Sequence, residues 1–169
     1  LHLLSRRQRQ MCIRDRENAE ELRGKGIEFS ETAQQELQVL GEALREIMDY
    51  AYRSFTAVDA QTARRIEPVE EVVDDMVATL RTNHIRRLRD GQCTVYAGLV
   101  FLDILINAER IADQCSNLGV YTISQFDPSV MNSHHEYIHR LHQGNDPVFN
   151  REYQEKHEKY FGMLSAIND

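Results

Sequence analysis

"TVYAGLVFLDILINAERIADQCSNLGVYTIS", residues 94–124, decides how the rest of the chain is read. Val95, Leu99, Leu102, Leu105, Ile106 and Val120 recur at helical spacing on one side, and Val100, Ile104, Ile111 and Leu118 form a second stripe. A helix that is apolar on two sides is touched by two partners, so this pattern predicts the central helix of a bundle. Within it, Glu109 and Asp113 lie roughly 40° apart on the helical wheel, in the same arc as Leu102, Leu105, Ile106 and Val120, and are expected to point into the bundle. An isolated ionised carboxylate is too costly to bury, so such groups protonate, pair with a cation or bind a metal.

The flanking segments are helical as well. After Ser30, a candidate N-cap, the series Ala33, Leu37, Leu40, Leu44, Ile47, Ala51, Phe55 and Val58 predicts a helix over 31–57. A second series, Ala63, Ile66, Val69, Val73, Met76, Val77, Leu80 and Leu88, predicts a helix over 60–89 with a kink or restart at Pro68. "FDPSVMNS" (126–133) reads as a linker, "HHEYIHRLH" (134–142) as a short helix, and Asp146-Pro147 as the start of a last amphipathic helix over 147–161. The expected fold is all-α: an antiparallel up-down-up bundle of three helices, 31–57, 60–89 and 93–125, with two shorter C-terminal helices packed outside. Helix 93–125 is expected at its centre, with Leu44 and Leu102 fully buried.

The 169 residues are 41% hydrophobic and 28% charged, which suits one domain with a real core. A net charge of −7 argues against nucleic acid as a partner. Cys12, Cys93 and Cys115 show no CxxC spacing and are odd in number, which disfavours a disulfide framework or zinc knuckle and fits a reducing compartment. The longest apolar stretch, "AGLVFLDILINA", is broken by Asp103, so no membrane span is expected in this chain. The opening "LHLLSRRQRQMCIRDR" (1–16), with five arginines and no amphipathic pattern, resembles the translation of a transposase adapter used in sequencing libraries. It is set aside as non-native. Residues 17–29 then form a lead-in, 30–125 the bundle and 126–169 a C-terminal extension, and hydrophobic transmembrane segments are expected to be encoded upstream in the intact gene.

On the second helix Glu70 and Asp74 repeat the spacing of Glu109 and Asp113 and flank the stripe of Ile66, Val73 and Val77. Two such pairs facing each other across neighbouring helices would form a hard, oxygen-rich site for iron, manganese, magnesium or calcium, with zinc a further candidate. A solvated acidic face for "EEVVDD" (70–75), or a Glu109 held by an Arg, Asn or His, are the alternatives. His135, His139 and His142 share one helical face and offer a second, zinc-type set. His84 reads as a hydrogen-bonded core histidine and Cys115 as a packing residue. No phosphate-cradling Gly-rich loop, nucleophile elbow or Ser/His/Asp spacing is present, so no catalytic residue is assigned.

"NAERIADQCSNLGVYTI" (107–123) resembles the ERIxDxxxN signature of PhoU-like helical domains. "HIRRLRDGQCTVYAGLVFLDILINAERIADQCSN" (84–117) is more similar still to the C-terminal cytoplasmic domain of bacterial sodium-dependent phosphate cotransporter family proteins, and the likeness runs from about Gly24 to Tyr160. The resemblance implies a three-helix bundle whose ExxxD motifs bind metal clusters in soluble PhoU proteins, and it carries that role to Glu70, Asp74, Glu109 and Asp113. It further implies a non-enzymatic regulatory or accessory domain at the cytoplasmic face of the bacterial inner membrane, joined to a transporter's membrane domain, with a homodimer as a candidate assembly. One departure stands out: the sequence holds a single three-helix unit where the soluble regulator has two in tandem. A di-metal carboxylate enzyme and a metal-free interaction module are the competing readings; the first is disfavoured because neither Glu70 nor Glu109 has a His three residues on.

Overall fold

The computed structural model describes residues 29–132, 134–141 and 146–168. The adapter-like segment and nearly all of the lead-in lie outside the described residues, as do the side chains of His135 and His142. Every regular element among the described residues is a helix.

Local chemistry sets each boundary. Helix α1 (Glu31–Ala57) opens where the Ser30 hydroxyl accepts from the Ala33 N–H, and it closes at Val58, whose φ of 51° is left-handed. The next residue, Asp59, caps the single turn α2 (Ala60–Ala63) by accepting from Gln61 N–H at 2.9 Å. Helix α3 (Ile66–Arg89) follows, with Pro68 in its first turn, where the missing N–H costs nothing. The break expected at Pro68 therefore falls before it, and the single expected helix 60–89 is two. Gly91, at φ 70°, makes the left-handed turn into α4 (Val95–Ser124), which Thr94 caps through Ala97 N–H. Two short helices, α5 (Pro128–Asn132) and α6 (His134–Arg140), lead to α7 (Pro147–Asn168). There Asp146 Oδ1 accepts from both Val148 and Phe149 N–H.

Cross-helix pairs give the topology. Phe29 meets Phe101 edge-on at 5.8 Å and Phe55 lies 6.4 Å from Tyr121, so α1 and α4 run parallel. Arg87 reaches Glu36 and Ser116 reaches Glu67, so α3 runs antiparallel to both. The up-down-up order holds. Its most enclosed helix, however, is α3 rather than the expected helix 93–125: α3 packs against α1, α4 and α7, and α4 keeps an exposed outer stripe.

Burial follows that arrangement. Val69, Val72, Val73 and Met76 on α3 are fully enclosed, facing Leu40, Ala43 and Ile47 of α1 and Phe101, Leu105 and Ala112 of α4. Ringed by three helices, α3 has no exposed residue between Ile66 and Val77. The outer stripe of α4 is left uncovered by the described residues: Val95 is 75% exposed, Leu99 59% and Ile106 38%. For the same reason Leu102 and Leu44, expected to be fully buried, sit half-buried at the groove edges. Phe55 and Val58 are exposed at the end of α1.

The last helix is longer than expected, 22 residues rather than a short helix ending near Phe161, and it packs as a fourth long helix on α1 and α3. Its Tyr160 and Leu164 enter the core. One carboxylate anchors it: Glu46 on α1 accepts from Lys156 Nζ at 2.7 Å, Lys159 Nζ at 2.9 Å and the Tyr160 hydroxyl at 2.5 Å. Burial would raise the pKa of Glu46, but the hydrogen bonds from Lys156, Tyr160, Lys159 and Tyr50 win and hold it at about 2. Farther along, the Tyr153 hydroxyl donates to Asp75 and Arg65 pairs with Glu152.

Candidate functional site

Antiparallel packing of α3 on α4 brings Glu70 near Asp113 and Asp74 near Glu109 and Asp113, close enough for the α4 carboxylates to shift the ionisation of the α3 pair. Burial and then the charges of Glu67, Asp74 and Asp113 push Glu70 up to about 9. Burial, with Glu109 and Asp113 next, raises Asp74 to about 6, and burial, Glu109 and Glu67 raise Asp113 above the usual carboxylate range.

Depth differs from the expectation. Glu109 and Asp113 do not point into the core: the Glu109 side chain is 43% exposed and Asp113 is exposed, on the rim of the seam. The buried arc of α4 runs instead through Phe101, Leu105, Ala108 and Ala112, to one side of the carboxylates. It is Glu70 that goes under, at 8% exposure and with no hydrogen bond or ion pair to another of the described residues. Asp74 Oδ1 is likewise buried and accepts no hydrogen bond. Arg81 Nη2 approaches Glu109 Oε2 at 3.7 Å, but both side chains are nearly half exposed, so water screens that pair.

Sequence reading missed one member. Glu67 is buried, accepts from Ser116 Oγ across the seam and adds to the charge felt by Glu70 and Asp113. The signal was present in the spacing: 67, 70 and 74 fall on one side of α3 at intervals of three and four.

These acids fit a hard cation in donor type and charge, and the orphaned Asp74 oxygen and unpartnered Glu70 carboxylate are the groups one would satisfy. As the side chains are placed, no three Asp, Glu, His or Cys donors among the described residues converge on one metal position. Binding would require the rim carboxylates to turn inward.

Residues 37–122, half of the chain, match the family description "PhoU domain". The chain belongs to the PhoU domain family. A curated relative, the "Phosphate-specific transport system accessory protein PhoU homolog 1" of Thermotoga maritima, is 29% identical over 80 residues, covering 47% of this chain and 34% of that protein. The chain thus spans about a third of that relative's length. No solved structure matches. The PhoU match takes in α3 and nearly all of α4 and so contains every carboxylate of the seam.

The remaining assignments resolve separately. Cys115 is buried among apolar groups, which push its thiol up to about 11, as befits a packing residue. His84 is in the core, stacked on Phe101 at 4.7 Å, but its Nε2 has no hydrogen-bond partner, contrary to the expected bonded histidine. No helix among the described residues is long and apolar enough to cross a membrane.

Proposed function

We propose that this chain is a PhoU-type regulatory or accessory domain of phosphate transport, without catalytic activity, that holds a hard metal ion through Glu70, Asp74, Glu109 and Asp113. Its partner in the intact protein is the membrane domain of a sodium-dependent phosphate cotransporter, at the cytoplasmic face of the bacterial inner membrane. A second copy of the chain, covering the exposed Val95 and Leu99 of α4, is the other proposed partner. The phosphate-transport role rests on the PhoU match and on the name of the Thermotoga relative. Metal binding is supported by one observation: Asp74, whose Oδ1 is buried and unbonded, lies close to Glu109 and Asp113 across the α3–α4 seam.

In this reading Glu70 and Asp74 supply the buried donors and Glu109 and Asp113 the mobile rim, and Ser116 orients Glu67 beside them. The cation would supply the positive charge that the acids lack. Elemental analysis of purified protein, paired with melting curves, tests it: added metal should raise the melting temperature of the parent by mass action and leave Asp113→Asn unmoved. A protein that carries no metal and whose melting temperature ignores added iron, manganese or magnesium would overturn the metal assignment. The transporter assignment has its own test, the genomic sequence upstream of Glu17, where a start codon instead of encoded transmembrane segments would sink it.

A further inference from the structure

A cavity of about 640 Å³ lies between the α2–α3 elbow, α6 and the start of α7. That is the size of a small-molecule site. Three guanidiniums line it, Arg64, Arg65 and Arg151, in a chain whose net charge is −7. They are not equivalent. Arg65 is already committed, pairing with Glu152 at 3.3 Å and lying over the Tyr50 ring at 5.0 Å. Arg64 and Arg151 are exposed and pair with no carboxylate among the described residues.

The two acids of the cavity do not compete for these arginines. Asp146 is spent on the first N–H groups of α7, and Glu152 is held by Arg65. Pro68, Val148 and Phe149 give the cavity apolar lining, together with Tyr137.

Two available guanidinium forks match a dianion with several in-plane acceptor pairs better than a monoanion, and the apolar lining needs a body to cover it. We propose that this cavity binds a phosphate monoester carrying an apolar or aromatic group. The proposal is independent of the metal reading, since none of the seam carboxylates lines the cavity.

Phenyl phosphate is a minimal probe. Calorimetric titration of the full chain, freed of divalent metal over a chelating resin, should show saturable one-to-one binding. Inorganic phosphate, which lacks the ring, and benzoate, which lacks the second charge, should each bind at least fivefold more weakly, and phenol not at all. Arg64→Gln combined with Arg151→Gln should weaken phenyl phosphate at least tenfold with an unchanged melting temperature. Glu152→Gln, by releasing Arg65, should tighten it severalfold, a gain that misfolding cannot produce. Equal binding of benzoate or phenol, full affinity in the double variant, or no gain in Glu152→Gln would overturn the proposal.

Discussion

Arg87 of α3 and Glu36 of α1 form an ion pair of 2.7 Å inside the bundle, their side chains 8% and 0% exposed. Asn83 Nδ2 donates to the other Glu36 oxygen at 2.8 Å, and the Arg87 guanidinium lies over the Phe101 ring. Glu36→Ala would leave a guanidinium buried without its partner, a loss of about 3–5 kcal/mol. Glu36→Leu with Arg87→Met removes both charges at nearly conserved volume and should recover most of it. Urea unfolding of the three proteins checks this; a double variant no better than Glu36→Ala would contradict it.

Glu70 should make metal-free stability depend on pH. Its folded pKa of about 9 lies above the ordinary value of 4.5, so folding favours the protonated form. The sign follows: its contribution is fully present below about 4.5 and is lost as pH rises through about 9. Glu70→Gln, neutral throughout, should therefore be more stable than the parent at pH 7 by on the order of 2–3 kcal/mol and no more stable at pH 4. Denaturant midpoints at the two pH values, after metal removal, measure the difference.

Glu46 behaves in the opposite sense. Its folded pKa of about 2 lies below the ordinary value of 4.5, so the stability it contributes is present above about 4.5 and lost as pH falls through about 2. Acid should then loosen α7 first. Glu46→Gln should flatten the acid limb of a melting-temperature profile between pH 5 and pH 2, and an unchanged limb would show that the anchor contributes nothing.

Two glycines give a matched test of packing. A Cβ on Gly98 would come within 2.8 Å of His84 Nε2 and 3.3 Å of both Leu88 methyls, whereas one on Gly162 would meet nothing within 4 Å. Gly98→Ala should cost about 1–3 kcal/mol by forcing His84 off Phe101. Gly162→Ala, in the exposed interior of α7, should instead stabilise by about 0.5–1 kcal/mol. Thermal unfolding of both variants decides the pair.

The legible parts of this fold were those written in periodicity and caps. Ser30, Asp59, Thr94 and Asp146 are capping side chains that satisfy backbone N–H groups, and the starts of α1, α4 and α7 follow from them. The facing of the two acidic pairs was legible too, because four-residue spacing on antiparallel neighbours brings them to one seam. Depth was not. A wheel gives the apolar arc of α4 but not which part of it a partner covers, so Leu102 and Glu109 were placed too deep. Nor could periodicity show that α7 would close over α1 and α3, since its polar anchors, Lys156 and Tyr160 on Glu46 of α1 and Tyr153 on Asp75 of α3, carry no apolar signature.

The enclosure of α3 sets its rotational phase at two points at once. Glu67, Glu70 and Asp74 must meet α4 near one end while Asn83, His84 and Arg87 must meet α1 and Phe101 near the other. One residue inserted between them, even in the exposed stretch beyond Val77, would turn one set by roughly 100° relative to the other and strip either the acidic seam or the Glu36 pair of its partner. Point substitutions at Ala78, Thr82 or Arg86 face water and leave that phase untouched, so this helix can drift in composition there but not in length.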